Sequence, residues 1–182
     1  MNTWVVLLRG VMPTGKNKVP MAQLRQVFTE AGFEGVRTYI QSGNVILRTE
    51  LSASTVEERV HDLIQEHFGG DLVVVARTGA QLQKILDGNP FQHHDISRVF
   101  FTVLAQTPPE EKVKQVLAQD YSPEEVVITP EAAYLYIPGS AARSKLSNNF
   151  LEKKLGISAT TRNFNTIKKM IELSDEKSSK KE

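Results

Sequence analysis

Apolar and polar positions divide this chain into short strands and amphipathic helices. "TWVVLL" contains a continuous apolar run, Val5 to Leu8, which predicts a strand buried on both faces. Pro20 suits the first turn of a helix. Met21, Leu24, Val27, Phe28 and Ala31 then recur at helical spacing until Gly32. "VRTYIQSGNVIL" reads as a hairpin, two β-rich runs around Ser42-Gly43. Ser54 and Glu57 form a capping box for a helix with Val56, Val60, Leu63 and Ile64 on one face, ended by Gly69-Gly70. "DLVVVAR" is the next strand, so the order is β-α-β-β-α-β.

The same order returns further along. Thr78 and Gln81 make a capping box for a short helix, and "DGNPFQHHD" breaks the chain. "RVFFTVLA" is a strand, and "TPPE" opens a helix by cap, proline and capping glutamate. "EVVIT" and "AAYLYIP" are strands, residues 144–155 a helix closed by Gly156, and Ile157 to Thr161 a short strand. A last helix runs from Phe164 to Leu173. The expected fold class is α+β, two ferredoxin-like (βαββαβ) halves with antiparallel sheets plus linking and C-terminal helices. The expected division is 1–77 for the first half, 78–97 for a linking helix and loop, and 98–174 for the second half with its C-terminal helix. Residues 175–182 form a charged tail with nothing to bury, expected to be disordered.

Composition narrows the class. Apolar residues at 40% and charged residues at 24% suit a globular chain. No apolar run approaches the ~20 residues that span a bilayer, and no secretory signal is legible, so no membrane partner is expected. The sequence has no cysteine, which excludes disulfides and thiolate chemistry and fits a cytoplasmic protein. The net charge of +1 is unevenly spread. Residues 1–50 hold 6 Lys/Arg against 3 acids, residues 51–139 hold 6 against 13, and residues 140–173 hold 7 against 2. If the basic ends meet, they make an anion-attracting region on an acidic body.

Candidate chemistry lies in those basic ends. Gly10 to Asn17 read G-x-x-x-x-G-K-N, one letter from a phosphate loop. Asn17 stands where Mg²⁺ needs Ser or Thr, Pro20 starts the helix well after Lys16, and no strand ends in a metal-binding Asp. A P-loop NTPase is therefore not expected. What remains is an anion cradle: Gly10 and Gly15 with the cations Arg9, Lys16 and Lys18. Arg37, Tyr39 and Gln41 alternate onto one strand face, expected to be the open face of the sheet, where they could meet a base or sugar. Ser42, Gly43 and Asn44 also fit turn chemistry. In "TTRNFNTIKK", Asn163 or Asn165 can cap the last helix, with Thr160, Thr161, Arg162 and Thr166 crowding the same end. His93-His94-Asp95 is compact but unsupported by a second carboxylate cluster. No metal site and no cofactor are expected, and no catalytic constellation is legible.

"LLRG", "GKNKVPM", "VRTYIQSGN" and "TRNFNT" together resemble the signature of a largely bacterial family, the domain of unknown function 1697. The resemblance covers nearly the whole chain. It implies an α+β protein of two ferredoxin-like halves and no established activity, substrate or cofactor. The matching positions are Arg9, Gly10, Gly15, Asn17, Lys18, Met21, Thr38, Tyr39, Ser42, Gly43 and Asn44, then Thr161, Arg162, Asn163 and Thr166. Many members read "GINVGG" after the arginine, whereas this chain reads "GVMPTG". A role for that Asn side chain is not carried over, but a backbone role for the loop is.

The expected function is binding of a phosphate-bearing small molecule or nucleotide in a cationic cleft shared by the N-terminal loop and the TRN turn. Arg9, Lys16, Lys18 and Arg162 would supply charge, Gly10 and Gly15 access, and Asn17, Asn44 and Asn163 directional hydrogen bonds. Arg37, Tyr39, Ser42 and Thr166 complete the candidate set. The alternatives are an RNA- or DNA-binding protein and an enzyme acting on a phosphorylated substrate, with Tyr39 or Lys18 as acid/base. Oligomeric state is not legible.

Overall fold

The computed structural model describes residues 1–175. The first sheet is built by β1 (Asn2–Arg9), β2 (Glu34–Tyr39), β3 (Asn44–Thr49) and β4 (Val73–Arg77), with α1 (Met21–Glu30) and α2 (Ala53–Phe68) in the connections. Its strand order is β2-β3-β1-β4, and every neighbouring pair is antiparallel. After α3 (Gly79–Asp87) the plan repeats with β5 (Val99–Leu104), α4 (Glu110–Leu117), β6 (Glu125–Ile128), β7 (Ala132–Tyr136), α5 (Asn148–Leu155) and β8 (Ala159–Asn163). That sheet runs β6-β7-β5-β8, again antiparallel, so each half has the ferredoxin-like order. Helix α6 (Phe164–Asp175) closes the described chain, and residues 176–182 of the expected tail lie outside the described residues. Among the described residues no helix is long and apolar enough to cross a membrane.

The chain gathers into two compact units. One is Met1–Gln83 together with the segment from Lys168 onward, and the other is Lys84–Ile167; the divisions fall inside α3 and α6. In the first unit, Trp4, Val6 and Leu8 of β1 and Val45 and Leu47 of β3 pack with Leu24 and Phe28 of α1 and Val56, Val60 and Ile64 of α2. In the second, Leu104, Ala133 and Leu135 pack with Val116, Leu151 and Leu155. Strand alternation supplies the sheet residues of each core, and helical periodicity supplies the rest.

The other face of the first sheet was expected to be open, and it is not. Register places Arg37, Ile46 and Val5 in one row and Tyr39, Asn44 and Leu7 in the next. Val5, Leu7, Ile46 and Asn44 are all buried. The Arg37 guanidinium donates to the carbonyl of Leu173 in α6, a residue of the same unit. Covering that face satisfies the apolar run of β1, which has no polar side to show to water.

Helix starts depart from expectation in three places. Helix α2 is capped by Ser52, whose hydroxyl accepts from Thr55 N, and not by Ser54. Glu57 is instead drawn to the sheet, where its carboxylate accepts from Ala76 N at 3.0 Å and lies 3.7 Å from Arg77. Helix α4 follows Pro109 without a side-chain cap. Helix α5 begins at Asn148 under a Ser147 cap, the preceding residues forming a short 3-10 turn, Ala141–Arg143. The Thr78–Gln81 box is present in both directions, at 2.9 and 3.1 Å.

Candidate functional site

The end of β1 opens into the motif loop. Arg9 pairs with Val73 and Tyr39 with Asn44, so three connections meet at one end of the first sheet: residues 10–20, 40–43 and 69–72. Gly10 and Gly15 take left-handed backbone, at φ +94° and +82°, which glycine adopts without a Cβ clash. Between them the chain folds onto itself. Met12 N donates to Asn17 O at 2.9 Å and Lys18 N to Gly15 O at 3.2 Å. This closure leaves Lys16 and Lys18 exposed and Asn17 half-buried. Val19 is fully buried and fixes the loop's exit. Helix α1 then starts at Met21, after Pro20, with no side-chain cap on its amino end.

Two further glycines let the neighbouring connections approach. A Cβ on Gly70 would lie 3.1 Å from Asn17 Oδ1 and 3.2 Å from Lys16 O. The sequence shows Gly69-Gly70 as a helix stop. Gly69 is that stop, with φ +77°, while Gly70 serves the contact with the motif loop, a role no local signal announces. A Cβ on Gly43 would lie 2.7 Å from Leu8 Cβ and 2.9 Å from Val11 Cγ2, and its carbonyl accepts from Leu8 N at 2.8 Å.

The hairpin turn is held from inside. Asn44 is fully buried, and its amide donates to Tyr39 O at 3.2 Å and to Ser42 Oγ at 3.0 Å. The sequence offered Asn44 and Ser42 as ligand contacts; the hydrogen bond between them also ties the turn together. Gln41 reaches the other way and donates to Val19 O at 2.8 Å. Arg37 is turned toward α6, as described above, and Tyr39 is half-buried at the end of β2.

A short strand was expected to end at Thr161, with Thr161, Arg162 and Asn163 making a turn. They are the last residues of β8, paired with Thr102, Phe101 and Phe100 of β5. Thr161 Oγ1 lies 2.8 Å from Thr102 Oγ1 and donates to Asn148 Oδ1 at 2.9 Å. The Arg162 guanidinium turns back along its own strand, donating to Thr160 Oγ1 at 2.5 Å and Thr161 O at 3.0 Å. Burial pushes its pKa down to about 10. Asn163 caps α6 by accepting from the N–H of buried Thr166 at 2.9 Å; of the two caps the sequence offered, Asn163 and Asn165, it is the one used. These residues belong to the second unit, and the motif loop to the first.

Elsewhere the chemistry is already committed. His94 stacks on Tyr136 with ring centroids 3.6 Å apart, and its Nε2 lies 2.8 Å from Glu125. Asp95 accepts from Ser97. An open groove along α2 is lined by Thr55, Glu58, Asp62 and Glu66 beside Arg59, a carboxylate-rich surface that disfavours an anion.

The family model described as Protein of unknown function (DUF1697) matches residues 1–134. The chain belongs to this family. The match takes in the motif loop, the hairpin and the second half as far as Tyr134 within β7, and stops before α5 and β8. A structure of the conserved bacterial protein SP0830 from Streptococcus pneumoniae is similar over 95% of this chain and 98% of its own, with a TM-score of 0.71 and 21% identity. At that identity the likeness concerns the fold. No curated protein matches the chain at a significant level.

Proposed function

We propose that this DUF1697 protein binds a phosphate-bearing small ligand at the motif-loop end of its first sheet. The carrying observation is the closed loop of residues 12–18. Two backbone hydrogen bonds fix it, and Lys16 and Lys18 stand exposed on it. A loop closed before binding loses little conformational entropy on meeting an anion. Left-handed glycines suit the same charge. Asn17, half-buried beside Gly70, adds a directional amide. The ligand set proposed in the first unit is Gly10, Gly15, Lys16, Asn17 and Lys18, with Arg9 at the end of β1. A cysteine-free sequence suits a reducing compartment, and the proposal sets this binding in the cytoplasm.

Thermal denaturation with pyrophosphate, sugar phosphates and nucleotides tests the reading. At ~100-fold saturation a ligand stabilises by about 2.7 kcal/mol, a rise of roughly 5–10 °C for a domain of this size. The Lys16→Gln/Lys18→Gln double variant is expected to keep the unliganded melting temperature and lose most of that rise. A flat response across the panel refutes the site. Retention on RNA that falls steeply with salt would favour a nucleic-acid backbone as the source of the phosphate.

A further inference from the structure

Ile40 is the only residue other than glycine with positive φ among the described residues, at φ +51°. A β-branched side chain strongly disfavours that region, because its Cβ crowds the backbone carbonyl. Glycine or asparagine would sit there with little strain. Packing does not explain the choice, since Ile40 is 54% exposed. The conformation is imposed from both sides. Buried Asn44 holds the carbonyl of Tyr39 just before it, and Gln41 just after it is tethered to Val19 O. Gly43 wedges the same turn against Leu8 and Val11 of the motif-loop segment. The neighbour of Val11, Met12, is also 52% exposed. Two of the six exposed large apolar side chains of the described residues thus lie on two adjoining connections, one of which also carries the exposed Lys16 and Lys18.

We infer that Ile40 is a specificity-determining residue that gives a nucleobase an apolar platform, so that the ligand is a nucleoside phosphate and not a bare phosphate. The inference rests on the anion-loop reading above and names its ligand class. Inorganic phosphate has no apolar face to recognise, and a sugar phosphate has little. A nucleobase presents a flat one, next to phosphates that the lysines attract. Two side chains bury too little apolar area to hold a protein on a bilayer. A rigid, strained backbone fits a platform for a small ligand, because strain retained at an exposed position is over-determined by its surroundings.

Titration of wild type, Ile40→Asn, Ile40→Gly and Ile40→Leu with ADP, GDP, UDP and pyrophosphate decides the matter. Wild type is expected to bind at least one nucleoside diphosphate about tenfold tighter than pyrophosphate. Ile40→Asn and Ile40→Gly should lose that preference, leave pyrophosphate binding unchanged and raise the melting temperature by about 2–4 °C as strain is released. Ile40→Leu should keep the preference. If nucleosides add nothing to pyrophosphate, if Ile40→Asn weakens both ligands equally, or if it lowers the melting temperature, the platform is overturned while the anion site stands. Binding to phosphatidylglycerol vesicles that depends on Ile40, without nucleoside preference, overturns it in favour of a lipid surface. If pyrophosphate also fails to bind, the anion-loop reading falls and takes this inference with it.

Discussion

At Gly43 two costs of adding a single methyl coincide. Its φ is +88°, and a Cβ there would sit 2.7 Å from Leu8 Cβ and 2.9 Å from Val11 Cγ2. Gly15 shares the left-handed backbone, at φ +82°, but nothing lies within 4 Å of its Cβ position. Comparing the two positions separates strain from collision. Gly15→Ala should cost about 1 kcal/mol, the backbone term alone. Gly43→Ala should cost roughly 3 kcal/mol, because the neighbours are Leu8 on the core side of β1 and Val11 of the motif loop, which must move. Urea denaturation at neutral pH measures both. Equal losses would mean that the hairpin turn yields freely, and that Ile40 is not held as described. Arg162 gives another lesson at this scale. Its sequence context marked a ligand cation, yet its guanidinium bonds to its own strand and its pKa is lowered by burial. Charge in a sequence says that a group exists, not whether it faces water.

Helix α2 carries the element-scale pH response. His61 Nε2 lies 2.6 Å from Asp71 and its Nδ1 3.1 Å from Asp62, linking the helix to the connection that follows it. The hydrogen bond to Asp71 first, and that to Asp62 second, raise the His61 pKa above its ordinary value. A raised histidine pKa means that the folded state holds the proton more tightly. The stabilisation is therefore full below the unfolded value of about 6.5 and is lost as pH rises through the higher folded value. Because these groups are substantially exposed, the effect is about 0.5 kcal/mol or less. His61→Gln should be less stable than wild type near pH 6 and match it in mildly alkaline buffer. A gap that widens with pH would assign the contact a different role. The same helix shows which features were legible. Val56, Val60 and Ile64 announced it by spacing, and Gly69 announced its end. Its start was not readable, because Ser52, Ser54 and Thr55 all offer hydroxyls and Glu57 was claimed by Ala76, 19 residues on. The motif loop was legible from its glycines and lysines. The inward ties of Asn44 and Arg37 were not, since Arg37 meets a carbonyl 136 residues away.

For the whole chain, the consequential feature is that the first unit is not continuous in sequence. It takes Met1–Gln83 and then the segment from Lys168 onward, so the larger, carboxy-terminal part of α6 completes a body whose other elements were made before the second unit began. Met170 and Ile171 in that part of the helix are buried, Leu173 receives the Arg37 guanidinium, and a Cβ on Gly79 would collide with the Ser174 hydroxyl. Ending the chain after Ile167 removes all of these at once. Two buried apolar side chains are worth about 1.5–3 kcal/mol each, and Arg37 is left facing a vanished acceptor. The expected loss is roughly 4–7 kcal/mol, comparable with the ~5–15 kcal/mol that holds a domain together. Chemical denaturation of the truncated chain should show an early transition, and Met170→Ala alone should move the midpoint in the same direction by about 3 kcal/mol. The motif loop lies in the same unit, so pyrophosphate should protect the full chain and fail to protect the truncated one. If the truncated chain melts as the full one does, the part of α6 from Lys168 onward is dispensable and the first ferredoxin-like half stands on residues 1–83 by itself.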